Sequence, residues 1–255
     1  DYSKAIDLDK ENPERWADRA EFHYYAGHDQ DAIQDYKKVL ELDSTNIDAI
    51  NTIGLIYQEQ GKIDLAIETY ERGIALEKTD PIAASYCYRN RGIIYIDQEK
   101  YQKAIDDFTK TIELDPNTPS RYIDRANCYR DMNENEKALE DYDMAIQVDP
   151  KDAENWYWRG SFLFDFMSDH KGAINDLEKS ISLNPSDIDN YIWLGELYYE
   201  IEDYAKSIEI SLKGIEVDKN DISGLELLYE TISDSYYDMG NIDKALEYID
   251  KHLSL

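Results

Sequence analysis

Between Ser85 and Thr118 the sequence runs through two helical patterns joined by a short polar turn at Gln98–Lys100, and the same arrangement returns about every 34 residues along the chain. A fixed period of this length constrains the fold more than any local motif. Each repeat is one supersecondary unit that cannot bury its apolar side alone and must stack on its neighbours. With Ser85–Thr118 numbered as positions 1 to 34, full repeats fall at 13–46, 47–80, 85–118, 119–152, 153–187 and 188–221, with a shortened one at 226–255. Residues 1–12 match the tail of a repeat, with Tyr2, Ala5 and Leu8 standing where Phe108, Thr111 and Leu114 stand in the reference.

Pro81–Ala84 and Ile222–Leu225 are four-residue insertions, each worth about one extra helical turn, and the fifth repeat carries one extra residue near Met167. Small side chains recur at position 8 (Ala20, Gly54, Gly92, Ala126, Gly160, Gly195, Ser233). They recur again at position 20 (Ala32, Ala66, Ala104, Ala138, Ala173, Ser207, Ala245). Small groups at both places let paired helices approach closely. Large groups are expected to fill the space around them: Trp16, Tyr36, Tyr70, Phe108, Tyr142, Trp156 and Leu177. Cap residues at Asn46, Asp80, Thr118, Asp152, Asp187 and Asp221 mark helix starts, and Pro13, Pro81 and Pro119 suit the first helical position, where a missing N–H costs nothing.

These residues resemble the tetratricopeptide-repeat (TPR) family, whose pattern has an aromatic at 4, leucine-glycine at 7–8, tyrosine at 11, alanine at 20, an aromatic at 24 and proline at 32. Trp16, Gly54, Tyr57, Ala66 and Tyr70 match it, as do Tyr88, Gly92, Tyr95, Ala104, Phe108 and Pro116. The resemblance covers essentially the whole chain. It implies an all-α fold, an α-solenoid of antiparallel helix pairs stacked into a right-handed superhelix with a concave groove, here one domain over 1–255.

Comparison of the repeats with one another exposes a covariation. Position 7 is arginine at Arg19, Arg91, Arg125 and Arg159, and in those repeats position 23 is aspartate: Asp35, Asp107, Asp141 and Asp176. Where position 7 is Ile53, Leu194 or Ile232, position 23 is Thr69, Ile210 or Tyr248. The two positions are therefore expected to face each other across the helix pair, joined by structural ion pairs. Asp1 falls at the same position 23, which suggests a partner arginine upstream.

The formal charge of −29 argues against nucleic acid or anionic lipid as a partner and favours basic ones. No run of eighteen apolar residues is present, so no membrane insertion is expected. Cys87 and Cys128 fall in different repeats and build no disulfide framework, which favours a reduced, cytoplasmic setting. There is no Gly-rich phosphate loop and no nucleophile-elbow sequence. His23, His28, His170 and His252 are scattered without recognisable metal-site spacing. The expectation is a chain without catalysis, cofactor or metal.

What remains is a surface. The resemblance implies that positions 2, 5, 9, 12 and 13 of the first helices line the groove. Those positions hold the acids Glu21, Glu59, Asp97, Asp131, Asp165 and Glu196, then Glu200, Asp234 and Asp238, and also Glu14, Asp48, Glu154, Asp189 and Glu230. Tyr24, Asn127 and Tyr237 fall there too, and only Arg89 and Arg130 are basic. Tyr157, Phe164 and Tyr199 add aromatics, with Trp158 and Trp193 at the adjoining position 6, whereas Trp156, Phe162 and Phe166 are expected in the core. A lattice of acids focuses negative potential, and aromatics concentrate contact energy.

Two TPR recognition modes are missing. For the chaperone-tail clamp, Asn90 alone suits the middle role, flanked by Asn51 and Leu55 before it and Ser120 and Asp124 after it. The asparagine ladder of glycosyltransferase arrays would lie at position 6, which reads Asp18, Thr52, Asn90, Asp124, Trp158, Trp193 and Thr231. The expected function is a protein–protein interaction scaffold holding a basic peptide or protein segment. The alternatives are a substrate-recruiting arm of a larger enzyme, such as a glycosyltransferase, and self-association through uncapped ends.

Overall fold

The computed structural model describes residues 2–255, all helices and turns, so Asp1 and its proposed upstream partner lie outside the described residues. The chain divides into two compact units, one ending at Met132 and the other spanning Asn133–Leu255. The first holds α1 (Tyr2–Leu8), α2 (Pro13–Tyr25), α3 (Asp29–Leu42), α4 (Ile47–Glu59), α5 (Ile63–Ile74), α6 (Pro81–Asp97), α7 (Tyr101–Leu114) and α8 (Pro119–Asp131). The second holds α9 (Asn135–Val148), α10 (Ala153–Met167), α11 (His170–Leu183), α12 (Ile188–Glu200), α13 (Tyr204–Val217), α14 (Ile222–Asp238) and α15 (Ile242–Leu253). The division falls inside the fourth repeat. Within each unit the helices pair as the repeats dictate, α2 with α3, α4 with α5, α6 with α7, and then α10 with α11, α12 with α13, α14 with α15.

Helix starts follow the cap residues. The side chains of Asn46, Asp80, Asp152, Asp187 and Asp221 each accept a hydrogen bond from a backbone N–H in the first turn, at 2.9–3.1 Å. Thr118 departs from the expectation: it stands at the start of α8 but its hydroxyl turns back to donate to Asp115 at 2.6 Å, leaving no side-chain cap. The two insertions lengthen first helices at their N-terminal ends, α6 and α14 having 17 residues where α4 and α12 have 13.

Every turn between the helices of a repeat passes through a left-handed residue, Gly27, Gly61, Glu99, Asn133, Ser168, Glu202 and Gly240. Only three of these are glycine, so the helix-turn-helix geometry holds this backbone even where a Cβ opposes it. The extra residue of the fifth repeat is absorbed in α10, which runs 15 residues before Ser168.

The core of each pair is a small residue facing a large one. Ala20, Ala66, Ala104, Ala138 and Ala173 are fully buried, beside Tyr70, Phe108, Tyr142 and Leu177, which are also fully buried. A Cβ on Gly92 would come 2.8 Å from the Phe108 ring, closer than real contacts allow, so glycine is what admits the ring. Three residues expected inside are not fully so. Trp16 and Trp156 are half-buried, because each indole N–H must reach a carbonyl at the end of the preceding segment, Lys10 at 2.9 Å and Pro150 at 3.0 Å. Phe166 is exposed and stacks on the buried Phe162 at 5.5 Å between ring centres.

Candidate functional site

Positions 7 and 23 meet wherever both helices lie in one unit. Arg19 grips Asp35 with two bonds of 2.7 Å, Arg91 grips Asp107 at 2.9 and 2.7 Å, and Arg159 grips Asp176 at 2.7 and 2.8 Å. The carboxylates are buried. In each pair the bond to aspartate raises the guanidinium pKa above its ordinary value. Burial pushes the Asp107 carboxyl up, against the pull of Arg91. Arg125 belongs to the first unit, where it donates to Thr109 at 3.1 Å, and Asp141 is buried in the second. Where the arginine is replaced, apolar packing takes over, Leu194 with Ile210 and Ile232 with Tyr248. These arginines are committed to the fold and offer little to a ligand.

The first helices of the second unit carry the densest acids. Glu196 on α12 is half-buried, and its carboxyl is pushed up by burial and by Asp165 on α10 and Glu230 on α14. Asp234 is pushed up by burial, then by Glu230 and Asp238, and Asp189 by burial, then by Asp187 and Asp221. Acids from three consecutive first helices therefore repel one another across a single face.

Aromatics border this face. Tyr157, Phe164 and Trp193 pack partly buried against one core cluster, with Phe164 edge-on to Trp193 at 6.1 Å. Trp158 lies edge-on to Tyr157 at 5.6 Å and donates to Glu154 at 3.1 Å. Asp152, Glu154, Tyr157, Trp158, Asp187 and Asp189 line a cleft of about 460 Å³. The first unit has a smaller counterpart of about 320 Å³, lined by Asp18, Glu21, Tyr36, Asn46, Asp48 and Thr52.

Several groove candidates are already engaged inside the protein. Tyr24 donates to Glu59 and Tyr199 to Asp238, each at 2.8 Å. Asp131 pairs with Arg130 at 2.9 Å, and Arg130 also donates to Asn127 at 3.1 Å. Arg89 holds Asp124 at 2.6 Å, Glu200 lies 3.7 Å from His170, and Asn90 donates to Asn51 at 2.9 Å. Asp97 and Tyr237 are exposed. Charge counting alone misses these pairings, which engage acids of both units, Glu200 on α12 and Asp238 on α14 among them. Cys87 and Cys128 are buried thiols, each pushed up to about 12 by burial, which suits packing rather than reactivity.

Two of the histidines lie close together in space. His23, His28 and Asp31 come together at the α2–α3 turn, where one ligating atom from each lies within 4.8 Å of the others. The spacing was unrecognised because it spans a helix end, a left-handed glycine and the next helix start, not a single element.

Comparison with known proteins completes the description. The family profiles described as "Tetratricopeptide repeat" match residues 85–118 and 119–152, and again 47–80, 153–187, 188–221 and 228–255, while one described as "TPR repeat" matches 23–61. The STIP1 homolog of Dictyostelium discoideum is 36% identical over 93 residues, 34% of this chain and 16% of that protein. A tomato (Solanum lycopersicum) protein, a probable UDP-N-acetylglucosamine–peptide N-acetylglucosaminyltransferase named SPINDLY, is 30% identical over 98 residues, 38% of this chain and 10% of that protein. The matched stretches thus span only about a sixth and a tenth of these two relatives' length. The crystal structure of the C-terminal part of a TPR repeat-containing protein from Cytophaga hutchinsonii superposes with a TM-score of 0.73 at 18% identity, covering 93% of this chain and 94% of that one, a likeness of fold. No helix among the described residues is long and apolar enough to cross a membrane. With the helix pairs, the turn geometry and the repeat-by-repeat profile matches in agreement, the chain belongs to the tetratricopeptide-repeat family.

Proposed function

We propose that this chain is a non-catalytic scaffold that holds a basic peptide segment against the acidic, aromatic face of α10, α12 and α14. Its repeats are of a protein-interaction type. The observation that carries the finer reading is the gathering of acids on consecutive first helices and around the cleft lined by Asp152, Glu154, Asp187 and Asp189. Glu196, Asp189 and Asp234 are pushed up there first by burial and then by their acidic neighbours. A lysine or arginine entering this face relieves that repulsion, and the half-buried Tyr157 and Trp193 offer ring faces to its cationic head. The 460 Å³ cleft is wide enough to take a long basic side chain. On this reading, 1–255 acts as one repeat array, and partner choice rests on charge spacing along the segment rather than on a terminal carboxylate.

Amide NMR mapping with a lysine-rich peptide tests this. Shifts concentrated on α10, α12 and α14, and lost in the Asp189→Lys, Asp234→Lys double variant, are expected. Shifts confined to the second helices, α11 and α13, would overturn the assignment.

A further inference from the structure

The turn between α2 and α3 holds a second feature, far in chemistry from an acidic face. His23 sits on the last turn of α2, His28 immediately precedes α3, and Asp31 lies in the first turn of α3. Backbone bonds fix the turn: His28 N–H donates to the His23 carbonyl at 2.8 Å, and Asp31 and Ala32 N–H both donate to the His28 carbonyl at 3.0 Å. Between them Gly27 takes φ 73°, a left-handed conformation that glycine adopts without penalty. The three side chains are gathered by the fold itself.

We propose that His23, His28 and Asp31 form a binding site for one divalent late first-row transition ion, Zn²⁺ foremost, with the remaining coordination positions open to solvent. Two imidazoles and a carboxylate form a donor set that suits zinc, copper or nickel. Calcium and magnesium prefer all-oxygen shells, so they fit poorly. The donor atoms lie within 4.8 Å of one another, somewhat wider than a closed tetrahedral shell with bonds of about 2.0–2.2 Å requires. His28 and Asp31 are exposed and free to rotate inward, whereas His23 is partly buried and supplies the fixed point.

An independent feature of His23 supports the assignment. Its Nδ1 is buried with no hydrogen-bond partner, while its Nε2 lies 3.9 Å from Asp35. A buried imidazole nitrogen without a partner is costly unless something fills the role. Metal-ligating histidines usually carry a carboxylate at the other ring nitrogen, which orients the ring and raises its basicity. Asp35 lies on that side of the ring but at 3.9 Å, beyond hydrogen-bond reach, with both its oxygens held by Arg19. Asp29, at the start of α3, adds negative charge nearby and accepts a 2.8 Å bond from Gln60, which couples this turn to the next repeat. Ion binding would cross-link the end of α2 to the start of α3 and stabilise the first helical hairpin by mass action.

The test uses the whole chain, stripped with EDTA and titrated with ZnCl₂ by calorimetry in physiological salt with millimolar CaCl₂ and MgCl₂ present, so that diffuse binding to a −29 chain is saturated. One saturable site per chain is expected, with Zn²⁺ shifting the ring signals of His23 and His28 and sparing those of His170 and His252 in NMR. His28→Ala and Asp31→Asn, both at exposed positions, should keep the circular dichroism of the parent and weaken the site by about tenfold or more. Absence of a saturable site over the calcium and magnesium background would overturn the proposal. So would wild-type affinity in both variants.

Discussion

The hydroxyl of Tyr24 donates to the carboxylate of Glu59 at 2.8 Å, tying one first helix to the next. The same rung recurs in the second unit, where Tyr199 donates to Asp238 at 2.8 Å. In both, a tyrosine at position 12 reaches an acid at position 13 of the following repeat. The Tyr24 ionisation is pushed up to about 12 by burial and then by Glu59, and that of Tyr199 to about 12 with Asp238 as the largest cause. The second of these rungs joins α12 to α14, two of the helices that carry the candidate face.

Tyr24→Phe removes this rung and should cost about 0.5–1.5 kcal/mol, at the lower end because the bond is solvent-exposed. A double-variant cycle with Glu59→Ala, which removes the acceptor, isolates the bond. If Tyr24→Phe costs as much in the Glu59→Ala background as in the parent, the bond contributes nothing.

The ion pairs are predicted to behave differently. Arg91→Ile alone leaves Asp107 buried without its partner and should cost about 3–5 kcal/mol in urea unfolding. The double variant Arg91→Ile, Asp107→Thr copies the Ile53 and Thr69 found in the second repeat and should recover most of that loss. Equal losses in the single and double variants would show that the cost comes from elsewhere.

Gly92→Ala should destabilise by about 1–3 kcal/mol because the new methyl meets the rigid Phe108 ring at 2.8 Å. Gly160→Ala should cost less, since its nearest neighbours, Asp176 and Leu177, lie at 3.2 Å. Thermal midpoints ranked in the opposite order would contradict this account of the small position.

Glu99 and Glu202 occupy left-handed backbone at φ 57° and 62°. Replacing either by glycine should stabilise the protein by up to about 1 kcal/mol, as relief of strain outweighs the added freedom of the unfolded chain. A fall in the unfolding midpoint for both would refute it.

The acidic face has a pH signature. Glu196, Asp189 and Asp234 have folded pKa values raised above their ordinary range, so the folded state binds their protons more tightly than the unfolded one. The stability these three groups contribute is fully present below the ordinary carboxylate pKa and is lost as pH rises through the raised folded values. Glu196→Gln should therefore stabilise the protein at neutral pH and flatten the loss between mildly acidic and neutral conditions. No gain at neutral pH would show that Glu196 is not repelled.

The period, the helix pairs and the position of nearly every cap were legible because each is a local pattern repeated often enough to compare with itself. The match of Arg91 with Asp107 was legible for the same reason. Thr118 misled because a hydroxyl can bond to Asp115 as readily as to the first turn of a helix. Phe166 misled because a stack on Phe162 at a helix end satisfies half a ring and leaves the other half exposed. The rungs and the His23–His28–Asp31 cluster join residues across turns or between repeats, where no periodicity within one helix points to them. The engaged state of Asp131 and Asp124 was likewise hidden, since it depends on which arginine bends toward which acid.

The central claim is that the acids of α10, α12 and α14 receive a basic segment. Its most direct test is a fluorescence anisotropy titration of the protein with labelled basic, neutral and acidic peptides of equal length, at low and moderate salt. The account predicts saturable binding of the basic peptide alone, weakening steeply with salt and abolished by Asp189→Lys with Asp234→Lys. Equal affinity for all three peptides, or binding of the basic peptide that salt and these substitutions leave unchanged, would contradict it.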